Sequence, residues 1–341
     1  MAAGNQEQQV LEQADRFRHD VGVVRDQIGR VIVGHDEIVN GVLICLFVGG
    51  HALLEGVPGL GKTLLVRSLA QALRLDFSRI QFTPDLMPAD ITGTTIVLEA
   101  RGGDGVVSRQ FKFQKGPVFA QIVLADEINR ATPKTQSAML EAMQETSVTV
   151  GGTTHPMADP FFVMATQNPI EQEGTYPLPE AQLDRFLLKL DVGYASREQL
   201  HEILNRTTSF DSPVIKPVMD GATILEFQQL VRRVIVAPHV QDYAIRLVLA
   251  THPNGEHATM LAKKFIRIGG SPRAAQSLVM GAKVLALLDG RAYVSGDDIH
   301  AVALPALRHR ILLNFEGQAE GISPDTIIND IMDHLTVEAV I

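Results

Sequence analysis

One cysteine stands among 341 residues, and tryptophan is absent. A single thiol, Cys45, can close no intrachain disulfide, so the fold carries no covalent staple and suits a reducing compartment. Cys45 lies in the apolar run Leu43-Ile44-Cys45-Leu46-Phe47-Val48, where a thiol packs as a small hydrophobe. Aromatic residues make up only 5%, and no stretch interleaves them with basic residues as a single-strand nucleic-acid platform would. Positive charge is also short. Lys and Arg number 30 against 39 Asp and Glu, a formal net charge of −9, which argues against a nucleic-acid partner. Long apolar runs are missing too. The most apolar stretch, residues 39–54, is broken by Asn40, Gly41, Gly49, Gly50 and His51, so no membrane span is expected. The first residues show neither a basic start nor an apolar core, so a signal peptide is not expected and the sequence predicts a cytoplasmic protein. Histidines do not group as metal ligands. His201-Glu202 has Asn205 where a zinc-type motif needs a second histidine.

What is present is an ordinary soluble composition, 45% hydrophobic and 20% charged, in a chain long enough for two domains. Its centre is Gly56-Val57-Pro58-Gly59-Leu60-Gly61-Lys62-Thr63, which fits the phosphate-cradling pattern G-x-x-x-x-G-K-[ST]. The context is right. A strand-length apolar run, Ala52-Leu53-Leu54, precedes it, and Leu65, Leu69 and Ala72/Leu73 follow at helical spacing. Glycines let the backbone curl so that successive N–H groups face one anion. The helix beginning near Gly61 adds the positive end of its dipole. Lys62 is expected on the β- and γ-phosphates and Thr63 on Mg²⁺, with residues 56, 58–61 and Leu64 around the nucleotide.

A second apolar run, Gln121-Ile122-Val123-Leu124-Ala125, ends in Asp126-Glu127. A buried parallel strand delivers such a pair to its carboxyl edge, where open α/β sheets bind ligands. Asp126 is expected in the Mg²⁺ shell and Glu127 as the group that orients and deprotonates the attacking water. A third buried strand, Phe161 to Thr166, leads to Asn168, whose amide could contact the γ-phosphate or the water. Residues 78–82 and 187–190 complete five strands.

Between them, residues 83–119 and 146–160 carry glycines, prolines and alternating stretches that predict hairpin insertions, the first with its tip at residues 100–105. After residue 196 strand signals fade. Thr223-x-x-Glu226 and Ser295-x-x-Asp298 mark helix starts, and helices are expected over 240–251, 272–288 and 297–313. Ser271-Pro272-Arg273 reads as N-cap and first turn. An arginine there opposes the helix dipole, which suggests an anion nearby. The organisation expected is an N-terminal helical extension (1–20), an α/β nucleotide-binding core (21–195) and a helical lid (196–341).

The ordered set resembles the AAA+ ATPases, and specifically the MoxR family. The likeness rests on residues 56–63, Phe82-Thr83-Pro84-Asp85-Leu86-Met87-Pro88-Ala89-Asp90-Ile91-Thr92-Gly93, Leu124-Ala125-Asp126-Glu127-Ile128-Asn129-Arg130-Ala131, Ala165-Thr166-Gln167-Asn168-Pro169, Leu183-Asp184-Arg185-Phe186 and Ser271-Pro272-Arg273-Ala274. It covers roughly residues 20–315. It implies a P-loop core with five parallel strands in the order 5-1-4-3-2 and a small all-α lid. ATP would sit between core and lid, and subunits would form a ring, typically a hexamer. Asn168 would act as first sensor, Arg273 as second sensor, and Arg185 as an arginine finger on the neighbour's ATP, with Arg130 as the alternative. Val33 and Gly34 would cradle adenine. The resemblance implies remodelling of protein partners, often ones with von Willebrand factor A-type domains. A nucleic-acid motor and a nucleotide-switched scaffold are the competing readings.

Overall fold

The structure is a computed structural model that describes residues 2–57, 59–101, 107–169, 174–208 and 213–336. Pro58 and most of the expected hairpin tip lie outside the described residues.

Five short strands build one parallel sheet. They are β1 (Ala52–Glu55), β2 (Phe77–Gln81), β3 (Ile122–Asp126), β4 (Phe162–Gln167) and β5 (Leu188–Asp191). Their order is β2-β3-β4-β1-β5, with every neighbouring pair parallel. This is the expected 5-1-4-3-2 order. Buried parallel strands need apolar residues on both faces, and these have them. Ala52, Leu54, Leu124 and Met164 enter one core, while Leu53, Val123, Ala125 and Val163 enter a second on the opposite face. Helix Lys62–Ala72 covers the first face and helix Pro133–Glu145 the second.

The first core runs without a break into the C-terminal helices, taking in Phe227, Leu247, Leu278 and Ile328. The N-terminal helix, Ala2–Gly29, joins it through Ala14, Phe17, Val21, Val24 and Ile28, a stripe at three- and four-residue spacing. Phe17 meets Phe47 and Phe227 edge-on at 4.9 and 5.1 Å. That contact ties the N-terminal helix, helix Asp36–Val48 and the lid helix Gly221–Arg233 together.

Two antiparallel hairpins project from the core, Gly93–Arg101 with Val107–Lys115 and Ser147–Val150 with Thr153–Pro156. They touch each other, because His155 stacks on Phe113 at 3.9 Å. Gly93 closes the base of the first hairpin at φ 94°, where a Cβ would meet Gln114 O at 2.2 Å.

Among the described residues the lid is helical apart from two short strand pairs, Ile235–Val236 with Tyr293–Val294 and Ile266–Ile268 with Leu312–Leu313. Two expectations need correction. The helix expected over 297–313 is Gly296–Leu307, and residues 312–313 pair as a strand. The helix start read at Thr223 is at Asp220, whose carboxylate accepts from the Thr223 N–H at 3.0 Å. The start read at Ser295 holds, with Asp298 returning to the Ser295 N–H at 2.8 Å.

Lid and core are fastened by Arg310, whose side chain is 2% exposed. Its Nε donates to Asp184 Oδ1 at 2.7 Å. Its terminal nitrogens donate to the carbonyls of Asp184, Phe186, Leu187 and Ala306. Five donors with five acceptors satisfy a buried guanidinium in full.

Candidate active site

The phosphate loop connects β1 to helix Lys62–Ala72. Gly59 and Gly61 have φ of 85° and 77°, a region that residues with a Cβ rarely adopt, although a Cβ there would meet nothing within 4 Å. Gly56 is needed for a different reason, since a Cβ would sit 2.7 Å from Val192 O. Gly61 caps the helix with no side-chain hydrogen bond, and its first turn has no acidic residue. A helix start left this way presents N–H groups and a positive dipole to an anion. Lys62 Nζ donates to Gly56 O. Its burial lowers its pKa, an effect opposed by the carboxylates of Asp126, Glu127 and Glu55.

A cavity of about 390 Å³ opens there, at the carboxyl edge of the sheet. Gly59, Gly61, Lys62, Thr63, Leu64, Asp126, Glu127 and Asn168 line it, together with Arg79. Five expected positions of the loop and its helix, both acidic residues and the proposed sensor amide therefore line one space. Leu60 turns inward and packs against the main core. Val33 and Gly34 lie outside this cavity, in the turn before helix Asp36–Val48, with Gly34 against the Gln199 side chain.

Three residues missed in the sequence organise the acidic pair. Thr166 donates its hydroxyl to Asp126 Oδ1 at 2.6 Å and accepts the Glu127 N–H at 2.8 Å. Arg79 sends Nε and Nη2 to Asp126 Oδ2 at 3.0 and 2.7 Å. Gln81 donates Nε2 to Glu127 Oε2 at 2.8 Å. Arg130 pairs with the same Glu127 oxygen at 3.1 Å. Glu127 itself is left-handed, φ 56°, a conformation that costs a non-glycine residue about 1 kcal/mol or more and recurs at working sites. The sheet register singles out Arg79 and Gln81. They alternate on β2, and Gln81 stands opposite Asp126 in the sheet register.

The donor set fits Mg²⁺. The Thr63 hydroxyl and the Asp126 carboxylate are hard oxygens facing the same cavity, and Mg²⁺ is usually held by one or two protein oxygens plus phosphate and water. Among the described residues no group of three or more His, Cys, Asp or Glu side chains could form a separate metal centre.

Arg185 and Arg273 are elsewhere. Both line a cavity of about 540 Å³ with Gly50, His51, Leu187 and Arg310. Gly50 and His51 immediately precede β1 and Leu187 immediately precedes β5, so this cavity is at the amino edge of the sheet. The phosphate cavity is at the other edge, and a four-residue strand separates them by about 13 Å. Arg273 Nη1 lies 3.9 Å from Asp184 Oδ2. Arg185 Nη1 donates to Leu140 O at 3.1 Å, while its buried Nε has no hydrogen-bond partner.

Residues 51–188 match the ATPase family associated with various cellular activities, and residues 258–331 match the AAA lid domain. Chaperone MoxR1 of Mycobacterium tuberculosis is 44% identical over 314 residues, spanning 92% of this chain and 81% of that protein. The chain belongs to the MoxR family of AAA+ ATPases. Protein MoxR of Methylorubrum extorquens, another relative, is 30% identical over 88% of this chain and 90% of its own. A crystal structure from Cytophaga hutchinsonii superposes with a TM-score of 0.88 at 41% identity, covering 98% of this chain and 99% of that one. The MoxR-family core thus accounts for the sheet, the loop and the lid together. Among the described residues no helix is long and apolar enough to cross a membrane.

Proposed function

We propose that this MoxR-family chain binds ATP with Mg²⁺ at the 390 Å³ cavity and hydrolyses it within a ring of identical subunits, typically six. Mg²⁺, when bound, screens the phosphate charge and polarises the bond to be broken. The loop N–H groups and Lys62 hold the β- and γ-phosphates, Thr63 and Asp126 hold the metal, and Asn168 steadies the γ-phosphate or the water. Glu127 takes the proton from the attacking water. Val33 and Gly34 flank the adenine.

The observation that carries the ring is the separation of the two cavities. Arg185 and Arg273 share a space at the amino edge of the sheet, away from the phosphate loop of their own chain. Both are therefore assigned to the nucleotide of a neighbouring subunit. Arg273 then joins the finger in place of sensing its own ATP. Arg130 is the weaker finger, because it is already engaged with Glu127. An arginine delivered from outside is worth about 10³–10⁵ in rate, so hydrolysis depends on assembly. The division into an extension at 1–20, a core at 21–195 and a lid at 196–341 goes with this reading.

The work done is remodelling or maturation of partner proteins in the cytoplasm. The relative bearing the name chaperone supports a protein substrate, as does the deficit of positive charge. Partners with von Willebrand factor A-type domains are the class proposed. The test is phosphate release from ATP, followed against protein concentration with molecular mass measured in parallel. The rate per subunit rises steeply as the ring forms. A constant rate in a persistent monomer contradicts the shared site.

A further inference from the structure

We propose that Arg79 guards the metal position, holding Asp126 as a stand-in cation until a divalent metal arrives with the nucleotide and displaces it. The inference rests on the nucleotide site described above. A lone arginine–aspartate pair on a surface would mean little. Here three observations converge.

The first is where the guanidinium sits. Both Nε and Nη2 aim at one oxygen, Oδ2, while Oδ1 is taken by the Thr166 hydroxyl. The carboxylate is thus fixed by Thr166 on one oxygen and neutralised by Arg79 on the other. The second is that Arg79 lines the phosphate cavity alongside Thr63 and Lys62. Its charge lies in the cavity where Thr63 and Asp126 would hold a metal. Two cations at one carboxylate oxygen repel, and a hard divalent ion takes carboxylate oxygen as a ligand. The guanidinium side chain is 47% exposed, so it can swing into solvent at small cost.

The third observation extends the consequence to the base. Arg79 Nη2 also donates to Gln81 Oε1 at 2.6 Å. An amide whose oxygen is held by a donor must turn its nitrogen the other way, and Gln81 Nε2 meets Glu127 Oε2 at 2.8 Å. Residues 79 and 81 share a face of β2, so one movement affects both acids. When Arg79 leaves Asp126 it also leaves Gln81, and Glu127 loses the fixed orientation of one of the two groups holding it. Arg79 is therefore a positioning residue. It keeps both carboxylates compensated in the nucleotide-free chain and links arrival of the metal to release of Glu127.

The experiment uses the full chain, saturating ADP, and Mn²⁺ in place of Mg²⁺, with bound Mn²⁺ read by electron paramagnetic resonance. Nothing is hydrolysed, so the readout is independent of turnover. Removing a half-exposed, charge-assisted competitor in Arg79→Gln lowers the half-saturating Mn²⁺ concentration by roughly three- to tenfold. Arg79→Lys keeps the charge but lacks the fork that reaches Asp126 and Gln81 together, and gives a smaller fall. It serves as the test if Arg79→Gln does not fold. A half-saturating concentration that is unchanged or higher in the folded variants overturns the proposal while leaving the nucleotide site intact. An unsubstituted chain that binds no Mn²⁺ with ADP overturns both.

Discussion

Glu127 is the proposed general base, and its neighbours fix its position. Its backbone is held left-handed, its N–H is tied to Thr166, and its carboxylate is held by Gln81 and Arg130. Replacing the carboxylate with an amide keeps the shape and removes the proposed base. Glu127→Gln therefore binds ATP with about unchanged affinity and releases phosphate at least ~100-fold more slowly, the range expected for a lost general base. Unchanged turnover would remove Glu127 from that role. Thr166→Val keeps the volume but leaves the Glu127 N–H and Asp126 Oδ1 without their shared partner. It costs roughly 1–3 kcal/mol of stability by urea titration, with turnover falling as well. Lys62, Thr63, Asp126, Glu127 and Asn168 were legible in the sequence because a motif or a strand end announces each. Thr166, Arg79 and Gln81 were not, because a polar residue inside a short strand carries no local mark. What singles them out is the register that sets β2 and β4 beside β3.

Among elements, starts proved easier to read than stops. Ser271 caps Pro272–Leu288 and Ser295 caps Gly296–Leu307. A cap is a local bond between residues two or three apart, so the sequence contains the whole of it. The end at Leu307 is different. Apolar residues continue in helical rhythm through Ile311, but Arg308 reaches Asp191 and Asp325, and Arg310 reaches Asp184. These partners are far away in sequence, and their pull overrides the periodicity. At the start of Gly221–Arg233 the cap is Asp220 in place of Thr223, and it accepts from both the N–H and the hydroxyl of Thr223. Asp220→Ala lowers stability by about 1 kcal/mol, read as a lower urea midpoint, and leaves nucleotide binding unchanged. A wild-type midpoint would show that the cap bond contributes nothing.

For the molecule as a whole, two buried histidines make stability depend on pH. His51 bonds Met143 O and the Val163 N–H from inside the core, and burial pushes its pKa down to about 4 from 6.5. Burial lowers His309 in the same direction, with Arg310 adding to it. An unfolded histidine accepts a proton near 6.5 and the folded one does not until about 4. The stability from a neutral His51 is complete above pH 6.5 and is lost as pH falls toward 4, by roughly 3 kcal/mol over that window. Urea midpoints measured at pH 7.5 and pH 5 should fall with acidity, and the fall should be smaller in His51→Gln. Equal slopes in the two proteins would remove His51 as the cause.

The proposed ring belongs to the same scale. The sheet order was legible through the family resemblance, and the lid through the late run of helices as well. Which edge of the sheet Arg273 faces was not, since that follows from how the lid docks. Arg310 and Asp184 set that docking, and they place Arg273 beside Arg185. The most direct measurement is therefore complementation. Arg185→Ala alone should bind ATP and fail to hydrolyse it, and Lys62→Ala alone should fail to bind. Mixed, the first supplies an intact phosphate loop and the second an intact Arg185 to its neighbour, so phosphate release should return. Mixed rings that form, as shown by mass, and stay silent would contradict a site shared between subunits.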